Sequence, residues 1–97
     1  MKTDMQMLRS RREEILQIAK RYHAKNVRVF GSVARGEAVA SSDVDFLVTF
    51  LPGASLLDQA GLTDALISTL RTSVDVVSEG ALNKHLRDRV LTESLML

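Results

Sequence analysis

Three aspartates stand in the two runs of this chain that most resemble buried strands. Asp43 and Asp45 open the run 43–51, and Asp75 lies in the run 74–77. Burying an unpaired carboxylate among apolar side chains is very costly, so these acids need a ligand or solvent at their face of the sheet. Because residues i and i+2 of a strand share a face, Asp43 and Asp45 are predicted to project together, away from the core.

A glycine and a serine precede the acids at the end of another strand-like run, 27–30. Gly31 lets backbone N–H groups approach a phosphate closely, and a helix that starts there adds a favourable dipole. The Ser32 hydroxyl can donate a hydrogen bond to a phosphate oxygen. Arg35 has two interpretations of equal weight, a contact with a polyphosphate or a surface ion pair. This order predicts a phosphate cradle beside the acids.

The three acids themselves predict a divalent-cation site. If the strand of Asp75 neighbours the strand of Asp43 and Asp45, the three carboxylates converge, and like charges this close raise one another's pKa. A donor set made only of oxygen favours Mg²⁺ or Mn²⁺ over zinc. Two such ions bridged by carboxylates are suited to in-line attack at a phosphorus atom.

The composition limits the class of protein. We expect the 97 residues to form a single domain, 1–97. Without cysteine, disulfides and thiolate metal sites are excluded. No apolar run approaches the roughly 20 residues of a membrane span, and charged residues interrupt any signal-peptide core at the N-terminus. We therefore expect a cytoplasmic protein that does not associate with membranes.

Charge is distributed unevenly along the chain. Residues 1–28 carry eight basic and three acidic side chains, whereas the remainder carries five basic and nine acidic ones. A basic face can attract RNA, but a solvated helix face is the commoner origin of such a pattern. We therefore do not expect direct nucleic-acid binding, and we keep it as a third alternative.

Hydrophobic periodicity predicts an α/β fold with helices packed on a small sheet of three or slightly more strands. The Ser55-Leu56-Leu57-Asp58 segment has the form of a capping box that opens a helix. Along that helix we expect the inward face to be Leu56, Ala60, Thr63, Ile67 and Leu70. The expected order is helix 5–23, strand 27–30, a turn or two of helix within 33–39, strand 43–51, helix 55–71, strand 74–77 and helix 82–95.

The combined motif resembles the minimal nucleotidyltransferase (MNT) branch of the superfamily that includes DNA polymerase β. The resemblance covers nearly the whole chain and implies a mixed sheet. The segments that carry it are Gly31-Ser32-Val33-Ala34-Arg35-Gly36, Ser42-Asp43-Val44-Asp45 and Val74-Asp75-Val76-Val77.

The resemblance also implies an activity, the Mg²⁺-dependent transfer of a nucleoside monophosphate from a nucleoside triphosphate such as ATP. It makes Asp43 and Asp45 ligands of both metal ions. Asp75 becomes the third ligand and helps to activate the acceptor hydroxyl. The implied nucleotide-binding residues are Gly31, Ser32, Arg35 and Ser42.

A partner protein is implied because larger relatives carry extra domains that hold the acceptor, and 97 residues leave no room for one. In the MNT family the typical partner is a HEPN-domain toxin ribonuclease. The MNT protein is its antitoxin and transfers AMP to a tyrosine of the toxin. The main alternative is a binding antitoxin that neutralises the partner by complex formation without catalysis.

Overall fold

The computed structural model describes residues 3–97 and contains one mixed sheet of four strands. The strands are β1 (Ala24–Phe30), β2 (Val44–Phe50), β3 (Val74–Ser78) and β4 (Leu95–Met96). The helices are α1 (Met5–Ser10), α2 (Arg12–Arg21), α3 (Gly31–Ala34), α4 (Leu56–Leu70) and α5 (Lys84–Glu93), with a 3₁₀ turn at Glu79–Ala81. The spatial order is β3-β2-β1-β4, in which only β2 and β3 run parallel. The predicted α/β class and mixed sheet are confirmed.

The predicted single helix 5–23 is wrong, because the chain breaks between α1 and α2 at Arg11 (φ −112°, ψ 21°). The Ser10 hydroxyl donates to the Met7 carbonyl at 2.6 Å, the oxygen that the Arg11 N–H would use in a continuous helix. The Arg11 N–H instead bonds the Leu8 carbonyl at 3.1 Å. The break between α1 and α2 therefore coincides with a local side-chain hydrogen bond.

One face of the sheet is covered by α1, α2 and α4, which form the main apolar core with it. Val44, Phe46 and Val48 alternate along β2 and are essentially inaccessible to solvent. Leu47 points to the other face by the same alternation and is also buried. The second face is therefore partly covered too, and α5 contacts β1.

The predicted inward face of α4 is largely wrong. Leu70 is buried as expected, but Leu56 is 83% exposed, and the other buried positions are Leu62 and Leu66. On the observed face, Gly61 packs against the ring of Tyr22, the residue that follows α2. A Cβ at Gly61 would lie 2.4 Å from Tyr22 Cε1, so this contact requires glycine.

Element ends also differ from the prediction. β2 begins at Val44, so Asp43 precedes the strand. α5 starts at Lys84, where Asn83 caps it by accepting the Leu86 N–H at 2.9 Å. The chain then leaves the helix and forms β4, which pairs with β1 and was not predicted. Within residues 3–97, no helix combines the length and apolar character needed to cross a membrane.

Candidate functional site

The strand pairing places two of the predicted site acids side by side. Asp45 of β2 pairs with Asp75 of parallel β3, and on its other side with Phe30, the last residue of β1. Neighbouring strands lie about 4.8 Å apart, so the two aspartates are adjacent and share a face of the sheet. The condition for convergence, that the strand of Asp75 neighbours the strand of Asp45, is therefore met.

Gly31 brings the main chain against the Asp45 carboxylate. It follows β1 directly, has φ +73°, and a Cβ built on it would lie 2.2 Å from Oδ2 of Asp45. An L side chain would meet both backbone strain and a collision there. Glycine is therefore needed at position 31 because the turn lies too close to the Asp45 carboxylate for a side chain to fit. The sequence only suggested this close approach.

The carboxyl group of Asp45 is partly buried and surrounded by negative charge. Burial raises the pKa of Asp45 above its ordinary value, and the charges of Asp75 and Asp43 raise it further. Arg35 acts in the opposite direction and lowers it. The net upward shift means that the charged form of Asp45 lacks sufficient positive partners, as expected of a group that acts on a ligand.

The full three-acid metal cluster is not assembled by the side chains. Within residues 3–97, no three Asp, Glu, His or Cys side chains form a group that could hold a metal ion. Asp43 and Asp75 are both exposed to solvent. The chemistry nevertheless fits a cation, because the donors are all oxygen and a divalent ion would relieve the repulsion at Asp45.

Arg35 forms ion pairs with two glutamates. Its Nε lies 3.1 Å from Glu37, and its Nη1 donates to Glu93 of α5. These hydrogen bonds raise the pKa of Arg35 above its ordinary value, with Glu93 the larger cause. Of the two interpretations of Arg35, the surface ion pair is the one observed. The pair connects the loop after α3 to α5.

The two serines of the motif differ in their surroundings. The Ser42 hydroxyl accepts the Val39 N–H at 2.9 Å, and the Ser42 N–H donates to the Val39 carbonyl at the same distance. Ser42 therefore shapes the loop that delivers Asp43 to the site. Ser32 is half-buried beside Gly31, where its side chain adjoins the glycine turn.

The basic N-terminal helices use arginines to bind the chain itself. Arg9 and Arg12 donate to the main-chain carbonyls of Met96 and Leu97, each at 3.1 Å. Both guanidinium groups thereby hold the C-terminal segment in place next to β1. This observation favours a structural role for these two arginines over a role in an RNA-binding surface.

A cavity of about 250 Å³ beside Gly31 was not predicted. Its walls come from the end of β1, the Gly31 turn and α5. The only sequence signal for this cavity was the spacing of Leu86 and Val90, which lie one helical turn apart. The same spacing is equally typical of a helix that packs in the core. The lining residues are Phe30, Gly31, Arg35, Leu86, Arg89, Val90 and Glu93.

Comparison with known proteins supports the family resemblance. The family model described as "Polymerase beta, Nucleotidyltransferase" matches residues 13–97. MJ0435 of Methanocaldococcus jannaschii, named as a candidate protein adenylyltransferase, is 37% identical over 87% of this chain and 90% of its own length. The protein adenylyltransferase MntA of Thermococcus cleftensis is 38% identical over 79% of this chain and 78% of its own.

Two solved structures share the fold. One, described as a candidate minimal nucleotidyltransferase, has a TM-score of 0.88 and 50% identity, covering 98% of this chain and 97% of its own. The other is a complex described as a tri-AMPylated HEPN toxin of Shewanella oneidensis with MNT antitoxin. Its matching chain has a TM-score of 0.68 and 19% identity, covering 91% of this chain and 69% of its own, and shows the fold alone.

Proposed function

Because the chain belongs to the polymerase beta nucleotidyltransferase family, we propose that it is an antitoxin that transfers AMP from ATP to a tyrosine of a HEPN ribonuclease toxin. The observation that carries the chemistry is the placement of Asp45 between Asp75 and the Gly31 turn. A carboxylate with a raised pKa, next to a second acid and a backbone that no side chain shields, is suited to handling a metal-bound triphosphate. ATP as the donor also favours a cytoplasmic location.

The three aspartates have distinct proposed roles. Asp43 and Asp45 would hold two Mg²⁺ ions, for which Mn²⁺ could substitute, and Asp75 would complete the ligand set. Bound ions would supply positive charge against the phosphates during in-line attack at the α-phosphorus. Asp75 is exposed on strand β3, so it is accessible to an incoming acceptor and can take the proton of the tyrosine hydroxyl. Pyrophosphate leaves as the new oxygen–phosphorus bond forms.

The glycine turn holds the triphosphate in this proposal. The main chain at Gly31 can lie against phosphate oxygens as closely as it lies against Asp45, and the Ser32 hydroxyl donates to one of them. Ser42 acts indirectly by fixing the loop before Asp43. Arg35 is close enough to influence Asp45, so it can exchange a glutamate partner for a phosphate oxygen.

The acceptor and partner rest on the comparisons. Relatives that are at least 30% identical over most of the chain carry the name protein adenylyltransferase, and the Shewanella complex pairs an MNT antitoxin with an AMPylated HEPN toxin. A protein acceptor therefore agrees with the names of the relatives. A tyrosine supplies a hydroxyl that Asp75 can deprotonate as it attacks.

Intact-mass spectrometry of the partner tests this function. The purified HEPN partner is incubated with ATP, Mg²⁺ and either this protein or its Asp43→Asn/Asp45→Asn variant. We expect the partner to gain one or more AMP masses only with the unchanged protein. Asp58→Asn is the matched control, because it makes the same chemical change far from the site, and it should retain transfer. No added mass with the unchanged protein would contradict the proposal.

A binding antitoxin is the second candidate, and one surface favours it. Leu56 and Leu57 at the start of α4 are 83% and 82% exposed, beyond the opposite end of β2 from Asp45. Apolar side chains this exposed are suited to contact with a partner. If the Asp43→Asn/Asp45→Asn variant still protects cells from the toxin, complex formation alone is sufficient.

A further inference from the structure

The cavity beside Gly31 has apolar walls on two sides. Leu86 and Val90 lie one turn apart on α5 and line it together with Phe30, which ends β1. Leu86 is 41% exposed, although it belongs to the apolar face of its helix. An apolar wall this accessible, directly beside the proposed triphosphate turn, can cover a flat hydrophobic group.

Polar groups complete the cavity at its rim. Arg89 and Glu93 also lie one turn apart on α5, and both line the cavity. Arg35 engages one carboxylate oxygen of Glu93, Oε1. Within residues 3–97, the Arg89 guanidinium takes part in no hydrogen bond or ion pair, so its donors are available to a ligand.

We infer that this cavity is the base-binding pocket of the nucleotide, an inference that rests on the proposed function. Its volume of about 250 Å³ is below the roughly 300–1,000 Å³ of pockets that enclose a drug-sized ligand. It therefore fits a base and leaves the triphosphate outside, along Gly31. Leu86 and Val90 cover one face of the ring, and the Arg89 guanidinium stacks on it or donates to it.

The charges of the rim favour a base that carries an exocyclic amine. Glu93 presents a carboxylate, which accepts a hydrogen bond from such an amine, and Arg89 donates to an acceptor nitrogen of the ring. Adenine, guanine and cytosine carry both groups, whereas uracil lacks the amine. Because Arg35 holds Glu93 and also lies near Asp45, it joins the base pocket to the acidic site. α5 thereby becomes the element that selects the nucleotide.

Calorimetric titration with two probes separates the base from the phosphates. The full chain is titrated in Mg²⁺ with AMP-PNP, which carries adenine, and with inorganic tripolyphosphate, which does not. Leu86→Ser removes an apolar wall without adding charge, and Leu57→Ser makes the same change at an exposed position on α4. We expect Leu86→Ser to weaken AMP-PNP binding about three- to ten-fold and to leave tripolyphosphate binding unchanged, whereas Leu57→Ser alters neither.

A second variant keeps the test independent of the leucine. Arg89→Met should weaken AMP-PNP binding about two- to five-fold, while Lys84→Met, the charge-matched control on the same helix, should have no effect. AMP-PNP binding that is unchanged in both Leu86→Ser and Arg89→Met would overturn the base pocket but leave the proposed function intact. If the unchanged protein binds neither probe, both the pocket and the proposed function are contradicted.

Discussion

Two aspartates near opposite ends of β2 show how differently one fold can treat a carboxylate. Asp58, in the first turn of α4, accepts the Ser55 N–H at 2.9 Å and lies 3.2 Å from Nδ1 of His23. The hydrogen bond from Ser55, followed by that from His23, holds the pKa of Asp58 below its ordinary value. This carboxylate is paired by its own chain, and its function is to start a helix.

Asp45 receives no such support. Within residues 3–97, no hydrogen-bond donor reaches its carboxylate, and burial with the charges of Asp75 and Asp43 raises its pKa. The acid that shapes the fold is satisfied, whereas the acid at the proposed site is left without partners. The comparison indicates that the fold retains an unfavourable charge at Asp45 for a ligand to neutralise.

Among the variants proposed to test this comparison, Asp45→Asn is expected to have the largest effect on activity. The rate of AMP transfer should fall about 100-fold or more, which is the usual cost of removing one group that stabilises charge in an active site. In the absence of ligand, the melting temperature should rise, since the substitution removes a charge whose neighbours disfavour it. A lower melting temperature with transfer retained would contradict both parts. Transfer assays and thermal melts measure the two effects.

Gly31→Ala tests whether the turn has to lie against Asp45. The left-handed backbone alone costs about 1–2 kcal/mol, and the new Cβ also collides with Oδ2 of Asp45. Gly36→Ala is a closely matched control, because Gly36 has φ +75° with nothing within 4 Å of its Cβ position. We expect Gly31→Ala to lose more unfolding free energy than Gly36→Ala and to lose transfer. Equal losses in denaturant unfolding would mean that the close approach has no consequence.

Ser55→Ala should weaken only the helix cap at Asp58, whose carboxylate is hydrogen-bonded by its own chain. It removes the hydroxyl that accepts the Asp58 N–H at 3.4 Å, and loss of such a cap costs about 1 kcal/mol. We expect a lower free energy of unfolding in urea and an unchanged rate of AMP transfer per folded molecule. A matching loss of transfer would show that the two ends of β2 are coupled.

The two acids should give opposite pH dependences of stability. The pKa of Asp58 in the folded protein is lowered from 3.8. Its contribution to the free energy of unfolding is therefore fully present above pH 3.8 and is lost as the pH falls through the folded pKa. The pKa of Asp45 in the folded protein is raised from 3.8. Its contribution to the free energy of unfolding is therefore fully present below pH 3.8 and is lost as the pH rises through the folded pKa. Urea unfolding between about pH 3 and pH 7 measures the slope of unfolding free energy against pH. Asp58→Asn should remove the rising part of that slope, and Asp45→Asn should remove the falling part.

Local rules were sufficient for the acidic strands and the helix cap. The apolar residues around Asp45 and Asp75 were enough to predict that each acid lies in a strand, whereas the pairing that puts the two acids side by side came from the structure. The Ser55–Asp58 pair formed the predicted capping box, because that motif needs only four consecutive residues. The assignment of Asp43, Asp45 and Asp75 as metal ligands remains a prediction.

Tertiary contacts decided what the sequence did not reveal. On α4, Gly61 packs against Tyr22, which is 39 positions earlier in the chain. The pairing of Arg35 with Glu93 depends on where α5 returns to β1. The cavity beside Gly31 arises from the same return. The contacts of Gly61 and Arg35 leave no periodic or short-range signal, and the helical spacing of Leu86 and Val90 does not distinguish a cavity wall from a core helix.

A Mg²⁺-dependent thermal shift tests most directly whether Asp45 is kept for a cation. A ligand that binds only the folded state raises its stability, so the melting temperature of the unchanged protein should increase when Mg²⁺ and AMP-PNP are added together. Asp58→Asn should show the same increase. Asp45→Asn should start from a higher melting temperature and gain little or nothing. An equal gain in Asp45→Asn would contradict the central claim that the unpaired acid near the start of β2 holds the metal.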